Sequence, residues 1–179
     1  LCQGVTSGNR LEIQTVTEAV VAGALAVAAL NAVSALIGAW AWYRGDLAAG
    51  ASTDHNAAAG VVHAFWVLLR VGQGSALMLA IAVGSLAAAG NYSTEHLFYL
   101  YALLPLAIAF VAEQLRVASA QTILDHRGLA DAAAVGALPA SEQQIVVLEI
   151  VRREIGVMAL SALVVVFLAL RAAGTAHGF

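Results

Sequence analysis

Long stretches without a single charged side chain, such as Val20–Ala29 and Val157–Leu170, constrain this chain more than any other feature. A soluble domain has too little interior to hide several such runs, whereas a bilayer takes them as transmembrane helices. Composition agrees: 61% of the residues are hydrophobic and 11% charged, against about 25% charged in soluble proteins. The sequence therefore predicts an all-α, four-transmembrane-helix bundle with helices over about 18–43, 57–89, 94–124 and 141–173. Residues 1–17 read as an N-terminal tail, 18–174 as the transmembrane domain and 175–179 as a C-terminal tail.

Local signals set the helix ends. Ser93 and Thr94 are good capping residues with Glu95 in the first turn of the third helix, and Ser141 with Gln144 has the spacing of a capping box. Pro105 lies inside the third helix, removes a hydrogen bond to the carbonyl of Tyr101 and predicts a kink. The first segment has neither the basic flank nor the cleavage site of a signal peptide. Cys2 lacks the small-residue pattern that precedes a lipid-modified cysteine and is read as part of an unmodified tail. Asn91-Tyr92-Ser93 matches a glycosylation sequon but is read as a turn.

Arginine placement orients the bundle. Arg44, Arg70, Arg116, Arg127, Arg152 and Arg153 fall toward loops 44–57 and 125–141, with only Arg10 and Arg171 opposite. The positive-inside tendency then puts both loops in the cytoplasm and both termini outside, in a bacterial inner (plasma) membrane. Trp40, Trp42, Tyr43 and Trp66 suit the inner boundary, and Tyr92, Phe98 and Tyr99 the outer one. The second, third and fourth helices continue past this boundary as a short cytoplasmic collar.

Depth arithmetic brings the charges together. Arg70, Glu113 and Arg153-Glu154 each border an apolar run of ~24–30 Å at helical rise, so they form one belt near the inner edge of the hydrocarbon. His63, Trp66, Arg70 and Gln73 share one stripe of the second helix, and Glu113 and Arg116 one stripe of the third. A charge in hydrocarbon costs ~2.5–3.5 kcal/mol even on the lenient insertion scale, so Glu113 is expected to seek Arg70, Arg116 or Arg153. Glu149 and Arg153 have i,i+4 ion-pair spacing. Arg70, Gln73, Glu113, Gln114, Arg116 and Arg153 are thus candidates for a polar pocket or for a charge belt that sets depth and register. The second reading takes precedence, because charges at an interface are common. Asn31, Ser34 and Gly38 on the first helix, and Gly72, Gly74, Ser75 and Gly84 on the second, predict close helix approach with interhelical hydrogen bonds.

Several chemistries are excluded or unsupported. One cysteine cannot form an internal disulfide or a cysteine-based metal site, and all eight basic residues are arginine, which removes lysine Schiff-base and P-loop chemistry. A net charge of -3 offers no basic surface for nucleic acid. His63 is the candidate haem or metal ligand, with haem b as the possible cofactor, but His96 should lie ~45–50 Å away along the membrane normal, too far to share an iron. His55, His63 and His126 match no metal-site spacing.

Two stretches, Leu97–Pro105 and Glu113–Arg116 continuing through Gln121–Leu129, resemble small four-helix integral membrane proteins of GC-rich bacteria. The resemblance extends into Glu149–Arg171. It implies a four-helix membrane fold and carries no assigned activity or functional residue. The leading expectation is a non-enzymatic integral membrane protein, a subunit or small-molecule-binding component of a membrane assembly, in contact with the lipid bilayer and forming a homo-oligomer or a larger complex. The alternatives are a membrane redox protein that carries haem or meets quinone, and a proton-coupled transporter using Glu113.

Overall fold

A computed structural model describes residues 3–44 and 55–176, with side chains over 14–44 and 60–176. Most of loop 44–57, Asp54, Cys2 and the end of the C-terminal tail lie outside the described residues. Four long helices form an all-α bundle: α1 (Gln3–Arg44), α2 (His55–Ala88), α3 (His96–His126) and α5 (Ala140–Thr175). A one-turn helix, α4 (Ala132–Gly136), interrupts the connection between α3 and α5. Each long helix contains a stretch long and apolar enough to cross a bilayer, over Gln14–Arg44, Gly60–Ala88, His96–His126 and Ala140–Thr175. By length and composition the chain is a multi-pass membrane protein.

The helices run alternately up and down, as the buried residues show. One layer joins Val20 and Ala24 near the start of the α1 span to Val83, Phe98 and Ala172. A middle layer joins Val27, Ala28, Ala76, Val165 and Ala169. The third joins Ala35 and Ala41 to Phe65, Leu69, Ala112, Ile155 and Met158. The start of one helix thus packs beside the end of the next. α5 packs extensively on α1 and α3, α1 on α2, and the contact between α2 and α3 is the narrowest of the four.

Small side chains make this packing possible. Gly38 lies against Phe65 of α2 and Ala159 of α5, and Gly72 of α2 lies against the Asn31 side chain of α1. Asn31 and Ser34 are buried, but they hydrogen-bond within their own helix rather than across to another. Asn31 Nδ2 donates to the Val27 carbonyl and Ser34 Oγ to the Leu30 carbonyl, each at 2.9 Å. The carbonyl one turn back is always within reach, whereas the neighbour presented to Asn31 is a glycine with no side chain to answer it.

The helix ends differ in part from the sequence signals. The backbone is already helical at Gln3, the first described residue, well before Glu18. α3 has Glu95 as its N-cap without a side-chain cap; instead Ser93 Oγ accepts from the Glu95 amide at 3.3 Å. Ser93 is buried and its amide donates to Tyr99 Oη at 2.9 Å, which builds the sequon into the turn. α5 is capped at Pro139, so Ser141 falls inside the first turn rather than at the N-cap position. The neighbouring Gln143 ties the linker down by donating to the Gly136 and Leu138 carbonyls at 2.9 and 2.7 Å. Pro105 is buried within α3. α2 and α3 both end in paired backbone bonds of the Schellman type closed by Gly90 (φ 86°) and Gly128 (φ 68°), a left-handed geometry that favours glycine.

Candidate functional site

Directly beyond the Phe65–Ile155 core layer, three helices each present charge. Arg70 follows buried Leu69 on α2, Glu113 follows buried Ala112 on α3, and Glu154 precedes buried Ile155 on α5. Arg70 Nη1 donates to Glu113 Oε1 at 2.6 Å and to Gln73 Oε1 at 2.8 Å. Arg116 Nε donates to Glu113 Oε2 at 3.0 Å, so both carboxylate oxygens of Glu113 are engaged by guanidinium groups from two helices. Arg116 Nη1 also stands 3.7 Å from Glu154 Oε2. The four charges sum to zero.

Exposure grades across the group. The Glu154, Glu113 and Arg116 side chains are 19%, 25% and 28% exposed, whereas Arg70 is 53% exposed. The two acids thus lie deepest, each with an arginine, and Arg70 reaches over them from the helix with the narrowest contact to α3. Losing one acid would leave a cation poorly compensated in a half-buried setting.

Aromatic residues mark the same level. Each of the three tryptophans carries an arginine over its ring: Arg44 on Trp40 at 5.2 Å, Arg152 on Trp42 at 5.4 Å and Arg116 on Trp66 at 5.5 Å. Trp–Arg pairs suit the boundary between hydrocarbon and headgroups, where an apolar ring and a polar tip are both satisfied. From Glu113 back to His96 is ~26 Å of helix and from Arg70 to Ala88 ~27 Å, close to the hydrocarbon thickness of a bilayer. Arg171 pairs with the Tyr101 ring at 5.7 Å near the opposite end.

Past the charged layer α2, α3 and α5 continue for several turns. There Arg127, just after α3, donates to Glu149 of α5 at 2.7 Å. That bond replaces the Glu149–Arg153 pair expected from spacing, because the α3 terminus brings a guanidinium to Glu149 from a second helix.

Of the six candidates, Arg70, Gln73, Glu113 and Arg116 come together. Gln114 and Arg153 do not. Gln114 is exposed, and Arg153 lies on the far side of α5, at a groove shared with α1. Replacing Gln114 by Ala is therefore expected to change stability by no more than about 0.5 kcal/mol in a detergent melt. Glu154 takes the place assigned to Arg153. The available signal was helical phase: Glu154 shares a stripe with buried Met158, Ala162 and Val165, while Arg153 is in phase with exposed Leu160. His63 is exposed near the start of α2, and His96 opens α3 at the other end of the bundle. Among the described residues no group of three or more His, Cys, Asp or Glu could hold a metal ion.

No protein-family model matches the chain, and the comparisons with curated proteins and with solved structures likewise gave no match. Its likeness to small four-helix membrane proteins therefore rests on the architecture of four long apolar helices.

Proposed function

We propose that this protein is a non-enzymatic, multi-pass subunit of a bacterial inner-membrane assembly, either a homo-oligomer or a larger complex. The observation that carries this reading is the closure of the charge network. Arg70, Glu113, Arg116 and Glu154 neutralise one another, which suits a register-setting clamp between helices better than a site for an anionic ligand or a mobile proton. A proton carrier at Glu113 would have to release two guanidinium groups at each turnover.

The projecting part of the bundle supports an assembly role. Ile145 and Val147 of α5 are half exposed, yet they lie about 13 and 10 Å beyond Glu154 along the helix. That is past a headgroup region only ~5–7 Å deep, so lipid does not cover them there. An exposed apolar position in water is where a partner gains most by docking. The excess of arginine at this end favours a cytoplasmic location for the projection, with both termini outside.

Native mass spectrometry of the protein released in a mild detergent tests the reading. An oligomer or a retained protein partner is expected, weakened when Ile145 and Val147 are both changed to Ser. A strictly monomeric species that retains no partner would count against it.

A further inference from the structure

A groove of about 670 Å³ runs along the outer face between α1 and α5. It exists because small residues, Ala32 and Ala39 on α1 and Gly156 on α5, lie between Leu36 and Leu160, which stand out at 70% and 63% exposed. From Arg153 to Val166 the α5 wall is ~20 Å long, enough to cover the ~15 Å depth of one leaflet's hydrocarbon. The groove is thus shaped for an acyl chain lying parallel to the helices.

Its mouth is cationic. Arg153 stands at the rim, and Arg152 lies over the ring of Trp42, which itself lines the groove. A Cβ on Gly156 would come within 3.2 Å of the Trp42 indole, so the glycine is what lets the ring approach α5 this closely. Among the described residues neither Arg152 nor Arg153 is paired with a carboxylate, whereas Arg70, Arg116 and Arg127 all are. Two guanidinium groups with no carboxylate partner among the described residues, placed at the headgroup level, suit a phosphodiester, which accepts forked hydrogen bonds from arginine. A second groove, of about 800 Å³ between α1 and α2, has no charged residue in its lining and so lacks such an anchor.

We propose that the α1/α5 groove binds one anionic phospholipid, with its acyl chain along Ala39 and Gly156 and its phosphate on Arg153 and Arg152. The inference stands independently of the assembly reading, because a monomer can hold the lipid equally well.

Native mass spectrometry of the full chain, with phosphatidylglycerol or phosphatidylcholine of matched acyl chains added at equal concentration, tests it. One phosphatidylglycerol per protomer is expected, retained about tenfold better than phosphatidylcholine, which carries the same phosphate but adds a choline cation that opposes the two guanidinium groups. The variant carrying Arg152→Gln and Arg153→Gln should retain the two lipids equally, while Arg171→Gln at the opposite end should keep the preference. Ala39→Leu, which fills the groove from an exposed position, should lower retention of both lipids. Circular dichroism identical to the parent establishes that each variant is folded. Equal retention of the two lipids by the parent, an undiminished preference in the double variant, or a lipid-free dimer that covers the groove would overturn the proposal.

Discussion

Changing Gly38 to Ala is expected to lower the thermal stability of the bundle, although alanine is the better helix former. The added Cβ would lie 2.5 Å from Phe65 Cε2 and 2.8 Å from the Ala159 Cβ. Neither neighbour has room to retreat: Phe65 is fully buried and packs edge-on against Trp66, and Ala159 is 7% exposed within the same core layer. Overpacking of this kind costs ~1–3 kcal/mol, against which the gain in helix propensity offsets at most about 1 kcal/mol. Gly74→Ala is the matched control, since nothing lies within 4 Å of the position a Cβ would take there. It should be neutral or stabilising by up to about 1 kcal/mol. Loss of helical ellipticity on heating in one detergent should move in opposite directions for the two variants, and a shared rise in Tm would show that α1 and α2 are not in close contact at Gly38.

The second large effect is expected at Glu113. Replacing it by Gln leaves Arg70 with only Gln73 and a neutral amide, and leaves Arg116 to Glu154 alone. Breaking a fully buried pair costs ~3–5 kcal/mol, but the half-exposed Arg70 can turn toward water, so the expected loss is ~1–3 kcal/mol. Glu95→Gln, at the exposed N-terminus of the same helix, should shift stability by no more than about 0.5 kcal/mol. Equal melting temperatures for the two variants would mean that Glu113 is simply solvated.

The four long apolar helices and the shared level of Arg70, Glu113 and Glu154 along the bundle were legible in the sequence because both depend on position along a helix. Run lengths of apolar residues fix where a helix meets the membrane boundary, and Arg70, Glu113 and Glu154 each border such a run. What depth does not specify is direction around the helix axis. Arg153 and Glu154 sit at nearly the same level but about 100° apart, and the inward-facing one is fixed by the stripe through Met158 and Ala162. The Glu149 partner could not be found from spacing within one helix, since Arg127 sits at the C-cap of α3. Ser141 is not the cap because the α5 backbone becomes helical two residues earlier than that placement requires, directly after Pro139. α4 gave no periodic signal: five residues of Ala, Val and Gly have no apolar stripe, and what starts it is the Asp131 carboxylate accepting from the Ala134 amide at 2.9 Å.

A double-mutant cycle across Arg70 and Glu113 is the most direct measurement of whether the charged layer is a closed clamp between α2 and α3. Stabilities would be compared for the parent, Arg70→Gln, Glu113→Gln and the variant carrying both, all in the same detergent. If the two side chains hold each other as the 2.6 Å contact implies, the double variant should lose less than the sum of the single losses, by about 0.5–3 kcal/mol. Single losses that add to within about 0.5 kcal/mol would show two independently solvated charges and would contradict the clamp.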